Sequence, residues 1–304
     1  MEMEGKVVLV TGGAFGIGRA ICLGAARQHA AFVVVADLPQ EKRGGEQTAA
    51  ECIEAGARDA FFVGCDVSNG KAVAAAIESA VTRCGALHAV FANAGVSPVN
   101  VPGSGGWTHE VNDDAFARVV AINLTGVFHT AKYSMAHLVK SKGALVTTAS
   151  SFGLVGAHLA ASYAASKGGV INLTRQLAKD YSPLGVRVNC ICPGYVSNAM
   201  GRSVPGIADG DLPPPEARRA SANTSLTEES VHASWARREA AAALQPIRRQ
   251  AQASEIASVA LFLASDAASF VTGTIVPVDG GCTSTFPGSD IQTAYDEAKY
   301  TSPL

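Results

Sequence analysis

The chain has 304 residues, a formal net charge of −2 and only 16% charged residues. This balance leaves no basic face to neutralise the phosphates of a nucleic acid and no polybasic arm for an anionic membrane, so small molecules are the predicted partners. No apolar run approaches the roughly 20 residues of a membrane span, and the initial MEMEGKVVLVTGG carries acidic residues where a signal peptide is basic. The sequence therefore predicts a cytoplasmic protein that binds neither nucleic acid nor membranes.

Short β-branched segments alternate with longer alanine-rich segments along the chain. The β-branched segments are apolar throughout and are predicted to be buried strands at residues 6–11, 31–37, 60–66, 87–93, 144–150, 186–192 and 274–280. Strands separated by helical segments are typical of repeated βαβ units. We therefore predict an α/β fold, a single-domain doubly wound parallel sheet of about seven strands with helices on both faces. Pro277 in the last segment favours a sheet edge, because proline cannot donate a hydrogen bond to a neighbouring strand.

Two connections are longer than usual and follow the carboxyl ends of predicted strands. Residues 95–113 are rich in glycine and proline, and the second connection extends from about 199 to 252. Open α/β sheets bind ligands at this edge, so both connections are predicted to border a substrate site.

Most of the second connection, residues 201–246, is predicted to be a substrate lid within one domain that spans 1–304. Good helix formers predict a helix over 231–246, whereas the proline- and serine-rich residues 203–230 fit a wall of the site and a solvated insertion equally well. The C-terminal tail, residues 282–304, contains no motif that we can interpret.

The first predicted strand runs into TGGAFGIG, a glycine-rich turn that opens a helix. Gly12, Gly16 and Gly18 allow the backbone to approach a pyrophosphate and to present N–H groups at a helix N-terminus. Asp37 ends the next strand, where a carboxylate can accept hydrogen bonds from an adenosine ribose. A turn that serves packing alone is the alternative, but the strand before it and the helix after it favour dinucleotide binding.

Tyr163 and Lys167 stand at i and i+4 of a predicted helix and therefore on one of its faces. The ammonium is expected to lower the pKa of the phenol from about 10 towards neutrality, which would make Tyr163 a general acid and base. Such a pair also occurs by chance on surface helices, so the prediction depends on the motifs around it.

These motifs together resemble the short-chain dehydrogenase/reductase family over about residues 5–200 and 247–281. The segments that carry the resemblance are TGGAFGIG (11–18), CDVS (65–68), NAG (93–95), INLTG (122–126), the Tyr163–Lys167 pair and PGYV (193–196). The resemblance implies that the cofactor is bound by Gly12, Phe15, Gly16, Ile17, Gly18, Asp37, Asp66, Val67, Asn93, Ala94, Gly95, Tyr163, Lys167, Pro193, Gly194, Val196 and Asn198. Two of these depart from the family pattern, since Asn198 stands where threonine is common and Phe15 where a small or basic residue is usual.

The same resemblance implies a catalytic set of Ser150, Tyr163, Lys167 and Asn123. Ser150 would hold the substrate oxygen, Lys167 would contact the nicotinamide ribose, and Asn123 would hold a water that connects Lys167 to solvent. Ser151 is the alternative serine, but SSFG matches the family's Ser-x-x-Gly pattern from Ser150.

The predicted function is the interconversion of a secondary alcohol and a ketone on a small to medium, largely apolar substrate. NAD is predicted as the cofactor and NADP is less favoured, because Asp37 would repel a 2′-phosphate. The alternative is a catalytically silent dinucleotide-binding regulator with the same fold. The family resemblance also implies a homo-tetramer or homo-dimer that associates through the segments 122–139 and 163–181.

Seven cysteines are scattered through apolar segments, a distribution that does not indicate a disulfide framework, and we expect them to be reduced. Cys190 and Cys192 alternate along a predicted strand, so they point to one face of the sheet, where buried core cysteines are favoured over zinc ligands. The histidines form no His-x₃-His or HExxH pattern. We therefore predict no metal site.

Overall fold

The computed structural model of the protein describes residues 3–197 and 244–284. They contain one sheet of seven strands, all paired in parallel, in the order β3-β2-β1-β4-β5-β6-β7. The strands are β1 (Val7–Thr11), β2 (Phe32–Asp37), β3 (Asp59–Gly64), β4 (Ala89–Ala92), β5 (Ala144–Thr148), β6 (Arg187–Pro193) and β7 (Ile275–Val278). All seven predicted strands are confirmed, and β7 with Pro277 forms an edge.

Seven α-helices connect or cover the described strands. They are α1 (Gly16–Arg27), α2 (Lys42–Glu54), α3 (Gly70–Cys84), α4 (Asp113–Val120), α5 (Gly126–Ser141), α6 (Ala161–Tyr181) and α7 (Ala253–Ala264). A π-helical turn, Ala121–Thr125, joins α4 to α5. None of the helices in the described ranges is both long and apolar enough to cross a membrane.

The core consists of two apolar layers, one on each face of the sheet. Successive strand residues point to opposite faces, so Val8 and Val10 of β1 pack with α1, α2 and α7, whereas Val7 and Leu9 pack with α3, α5 and α6. Cys190 lies in the second layer with Cys192, fully buried as predicted. Burial on both faces explains why the strands are apolar throughout, and the predicted doubly wound α/β fold is confirmed.

Strand order reverses between β1 and β4, the two central strands. The chain builds β1, β2 and β3 towards one edge, then returns to the centre and builds β4 to β7 towards the other. The connections that leave β1 and β4 therefore diverge at the carboxyl end of the sheet and leave a crevice between them. This crevice is where the sequence places the candidate site.

The predicted lid over 201–246 lies outside the described residues except for 244–246, and the predicted tail over 282–304 is described only to 284. The prediction of a helix over 231–246 is wrong at its last three residues, which form a turn. Arg248 N–H donates to Gln245 O in this turn, and Pro246 has no N–H to continue a helix. The division of the chain into one domain with a lid stays a prediction.

Candidate active site

A cleft of about 470 Å³ opens at the carboxyl ends of the central strands. Many residues that the sequence singles out line it, namely Gly12, Phe15, Ile17, Asp37, Asn93, Gly95, Ser150, Tyr163, Lys167, Pro193, Gly194 and Val196. They come from segments far apart in the chain and meet because parallel strands end at the same edge of the sheet. The long loop after β4 contributes Ser97 and Pro98, as expected for a wall of the site.

The glycine-rich loop after β1 has a backbone that only glycine fits. Gly12 has φ +68°, and a Cβ built on it would lie 2.9 Å from Ala94 Cα. A Cβ on Gly18 would lie 1.9 Å from Gly12 O. No side chain among the described residues caps the start of α1, so its first N–H groups can donate to an anion. The loop therefore fits a pyrophosphate.

Asp37, the last residue of β2, lines the cleft beside the glycine loop. Its Oδ2 accepts a hydrogen bond from Ala14 N–H (2.9 Å) and its Oδ1 from Leu38 N–H (2.8 Å). Burial raises the pKa of the carboxyl group, although both hydrogen bonds oppose this shift. Glu41, which the sequence reasoning missed, also lines the cleft here. Two acidic side chains therefore lie beside the glycine loop at this end of the cleft.

Asn93 ties the two central strands together at the cleft. Its Nδ2 donates to Thr11 O (3.1 Å) and Gly12 O (3.3 Å), and its backbone N–H donates to Thr11 Oγ1 (3.0 Å). The glycine loop is thus held against the end of β4 by an amide that cannot turn away without breaking its hydrogen bonds to two carbonyl groups.

Ser150, Tyr163 and Lys167 meet on the β5 side of the cleft. The side chain of Ser150 lies close enough to the Tyr163 phenol to lower its pKa, and Ser150 Oγ accepts a hydrogen bond from Phe152 N–H (3.2 Å). Lys167 Nζ donates to Thr148 O (2.9 Å) and lies 5.8 Å from the centre of the Tyr163 ring. Ser151 also lines the cleft, but the contact with Tyr163 favours Ser150 as the serine of the catalytic set.

The predicted net lowering of the pKa of the Tyr163 phenol is wrong in this structure. Burial raises the pKa of Tyr163, and the nearby Ser150 side chain only partly opposes it. Burial also lowers the pKa of Lys167 to about 8. Only 8% of Tyr163 and 1% of Lys167 are exposed, so desolvation penalises the phenolate and the ammonium alike. The i, i+4 spacing predicted their proximity but not their removal from water.

Several predicted site residues do not line the cleft, namely Gly16, Gly18, Asp66, Val67, Ala94 and Asn123. Asp66 Oδ1 instead accepts hydrogen bonds from Ser68, and Val67 packs so closely on α5 that a Cβ on Gly126 would lie 2.7 Å from it. Their roles in binding the cofactor stay predictions. Asn198 lies outside the described residues.

Asn123 is fully buried in the π-helical turn behind the cleft. Its Oδ1 accepts from Val96 N–H (2.8 Å), and its Nδ2 donates to Val96 O (2.9 Å) and Ser166 Oγ (3.2 Å). A Cβ on Gly95 would lie 3.2 Å from both Asn123 Oδ1 and Lys167 Nζ. Asn123 therefore holds the loop after β4 beside Lys167, and its role in holding a water stays a prediction.

A row of aromatic rings borders the reactive end of the cleft. Phe152 makes edge contacts with Tyr163 (centroids 6.4 Å apart) and with Tyr195 (5.8 Å), and all three residues line the cleft. Phe152 was not predicted to line the site, although SSFG places it two residues after Ser150. The contact between Phe152 and Tyr195 joins the ends of two different strands, so no short sequence motif predicts it.

Metal binding has no structural support in the described parts of the chain. No group of three His, Cys, Asp or Glu side chains within 3–197 and 244–284 is placed to bind an ion, and no disulfide joins the cysteines of these ranges. The absence of a metal site from the whole protein stays a prediction.

This topology binds a dinucleotide where the strand order reverses, and the buried phenol beside that point can move a proton during hydride transfer. The molecule is therefore an oxidoreductase of the class that uses a nicotinamide cofactor. More specifically, the chain belongs to the short chain dehydrogenase family, whose profile matches residues 6–206. A second profile, described as enoyl-(acyl carrier protein) reductase, matches residues 220–283. The predicted family and its alcohol–ketone chemistry are confirmed.

Similar proteins cover nearly the whole chain. The 2-(S)-hydroxypropyl-CoM dehydrogenase 3 of Xanthobacter autotrophicus is 36% identical over 93% of this chain and 98% of its own length. The cis-4-hydroxycyclohexanecarboxylate dehydrogenase of Sinomonas cyclohexanicum is 37% identical over 91% of this chain and 96% of its own. The crystal structure of an NAD⁺-bound xylitol dehydrogenase is 30% identical with a TM-score of 0.75, over 92% of this chain and all of that one.

Proposed function

We propose that the protein is an NAD-dependent dehydrogenase that interconverts a small, apolar, ring-shaped secondary alcohol and its ketone. The observation that carries this proposal is the aromatic row of Phe152, Tyr195 and Tyr163 beside Ser150 in one cleft. Flat apolar surfaces next to a proton-transferring phenol suit a saturated ring that carries one hydroxyl group. The name of the relative that acts on cis-4-hydroxycyclohexanecarboxylate, a cyclohexane ring with a secondary hydroxyl group, supports the ring shape of the substrate.

The chain's own residues supply binding and proton transfer. The glycine loop after β1, Asp37 and Lys167 would hold a nicotinamide dinucleotide, which would supply the hydride acceptor or donor. Ser150 holds the substrate oxygen, and Tyr163 takes the hydroxyl proton during oxidation or returns it during ketone reduction. The positive charge of Lys167, 5.8 Å from the phenol ring, stabilises the phenolate relative to a site without a cation. The aromatic row excludes water from the reacting atoms.

A panel of alcohols tests this function. Cyclohexanol, the open-chain 2-hexanol and the polar xylitol are offered with NAD while the absorbance of the reduced nicotinamide is followed. We expect the highest kcat/KM for cyclohexanol, because its ring covers the aromatic row with the fewest internal rotations to freeze. A preference for xylitol would contradict an apolar site. If no alcohol or ketone is turned over, the silent regulator is the better explanation.

Cofactor choice is expected to depend on the charge of Asp37. Asp37→Asn keeps one oxygen acceptor for the backbone but removes the repulsion of a 2′-phosphate. We expect the ratio of kcat/KM for NAD to that for NADP to fall roughly ten- to hundredfold, as steady-state kinetics with each cofactor would measure. Glu41 remains as a second acidic side chain in the cleft, so the variant should retain some preference for NAD.

Lys42→Ala is the control for this experiment. Lys42 follows Glu41 but is paired with Glu46 (3.6 Å) on an exposed face of α2. We expect the cofactor ratio of this variant to stay at the wild-type value. A loss of NADP activity in Lys42→Ala, or comparable use of the two cofactors by the wild type, would contradict the assignment of NAD.

A homo-tetramer or homo-dimer is part of the same proposal. Phe116 on α4 and Phe128 on α5 are large apolar side chains that are exposed in the single chain, and burial against a second copy would remove them from water. Light scattering at micromolar concentration should give a mass above that of one chain, and a monomer would contradict the proposal.

The predicted cytoplasmic location also belongs to the proposal, and cell fractionation tests it.

A further inference from the structure

Gln245 is a polar side chain with only 1% of its surface exposed, in the turn that precedes α7. Its Oε1 accepts a hydrogen bond from Tyr195 N–H (2.9 Å). Its Nε2 donates to Arg249 O (2.6 Å) and to Tyr195 O (3.4 Å). The amide thus uses its acceptor and its donors on backbone atoms, and it contacts both the N–H and the carbonyl group of the Tyr195 backbone.

The backbone around Tyr195 is also held from other directions. Ala251 N–H donates to Tyr195 O (3.0 Å), and Ser197 N–H donates to Ala251 O (2.9 Å). A Cβ on Gly194 would lie 2.4 Å from Gln245 Oε1 and 2.8 Å from Asp279 Cα, so no side chain fits there. The segment that carries Tyr195 therefore packs tightly between the loop after β7 and the turn at Gln245.

The ring of Tyr195 is the part of this segment that faces the site. It lies nearly perpendicular to Phe152, which in turn lies nearly perpendicular to the catalytic Tyr163 (interplanar angles 85° and 86°). Phe152 follows β5 and Tyr195 follows β6, so the distance between the two rings depends on contacts between different segments of the chain. Gln245 is the side chain whose hydrogen bonds, together with the backbone bond from Ala251 N–H, hold the Tyr195 backbone at this distance.

We propose that Gln245 is a positioning residue that determines substrate specificity by holding Tyr195 against Phe152. The inference rests on the proposed function, because it requires an apolar ring to bind beside Tyr195 and Tyr163. Gln245 does not line the cleft, so it acts on the substrate only through Tyr195. Its loss widens the pocket and weakens binding of ring substrates more than it slows the chemical step.

The main test is Gln245→Met, which keeps the length of the side chain and removes its hydrogen bonds. We expect KM for cyclohexanol to rise roughly tenfold with kcat changed less than about threefold, and the dissociation constant for NAD to stay within about twofold of wild type. Gln245→Glu should raise KM further, because a carboxylate has no donor and faces the carbonyl oxygens of Tyr195 and Arg249. Gln47→Met, at an exposed glutamine on α2, is the matched control and should match wild type.

A double-mutant cycle separates positioning from general stability. In a Tyr195→Ala background the ring is gone, so Gln245→Met should change KM for cyclohexanol by less than about twofold. A purely structural residue would give the same loss in both backgrounds. The proposal is overturned if the effect of Gln245→Met persists without the Tyr195 ring, or if affinity for NAD falls in parallel with affinity for the substrate.

Binding of cyclohexanone to the protein with NAD, measured by calorimetry, distinguishes this inference from the proposed function. A wild-type protein that turns over no alcohol but binds cyclohexanone less tightly after Gln245→Met would overturn the proposed function and support the role of Gln245. A wild-type protein that turns over open-chain alcohols but binds no ring compound would overturn the Gln245 proposal alone.

Discussion

Replacing Tyr163 with phenylalanine should lower kcat by roughly a hundred- to ten-thousandfold, the range expected when a general acid and base is removed. The dissociation constant for NAD should change less than about threefold, because Lys167 and the glycine loop remain in place. Phenylalanine keeps the ring that contacts Phe152 and removes only the hydroxyl, whose pKa Ser150 lowers. Absorbance of the reduced nicotinamide measures turnover, and calorimetry measures cofactor binding.

Tyr181→Phe is the matched control, because Tyr181 ends the same helix, α6, and does not line the cleft. It should retain wild-type kinetics. A Tyr163→Phe protein with near wild-type activity would show that another group moves the proton. A variant that loses turnover and NAD affinity together would instead show that the phenol mainly organises the cofactor site.

Replacing Gly18 with alanine should weaken NAD binding by roughly five- to a hundredfold, corresponding to the 1–3 kcal/mol that overpacking typically costs. The new Cβ would lie 1.9 Å from Gly12 O and 2.7 Å from Asn93 Nδ2. Asn93 cannot move aside cheaply, because its amide holds Thr11 O and Gly12 O. The glycine loop must therefore shift into the space that a pyrophosphate would occupy. Calorimetric titration with NAD measures the loss.

Gly156→Ala is the control for the glycine loop. A Cβ on Gly156 meets no atom of the described residues within 4 Å, so this variant should bind NAD as the wild type does and keep its stability within about 0.5 kcal/mol. If Gly18→Ala binds NAD with wild-type affinity, the loop is not the pyrophosphate site. If its free energy of unfolding falls while NAD affinity is unchanged, the glycine serves packing alone.

Local patterns in the sequence determined the fold and the position of the site. The strands were predictable because residues such as Val8 and Leu9 are buried on opposite faces of the sheet, which leaves an unbroken apolar run. The glycine loop was predictable because close backbone approach requires glycine within a few neighbouring residues. The pairing of Tyr163 with Lys167 was predictable because one turn of helix separates them.

Tertiary structure alone decided the electrostatics and the specificity of the site. The pKa of Tyr163 is raised because packing between distant elements removes the phenol from water, and no spacing in the sequence reports that desolvation. Asn123 could be assigned to the active site by its motif, but its partners, Val96 and Ser166, depend on how three segments meet. No sequence motif predicted a role for Gln245, because its hydrogen bonds reach the backbone of a residue fifty positions away in the chain. Burial and long-range contacts are properties of the assembled layers, and they determine how the catalytic groups behave once local sequence has placed them.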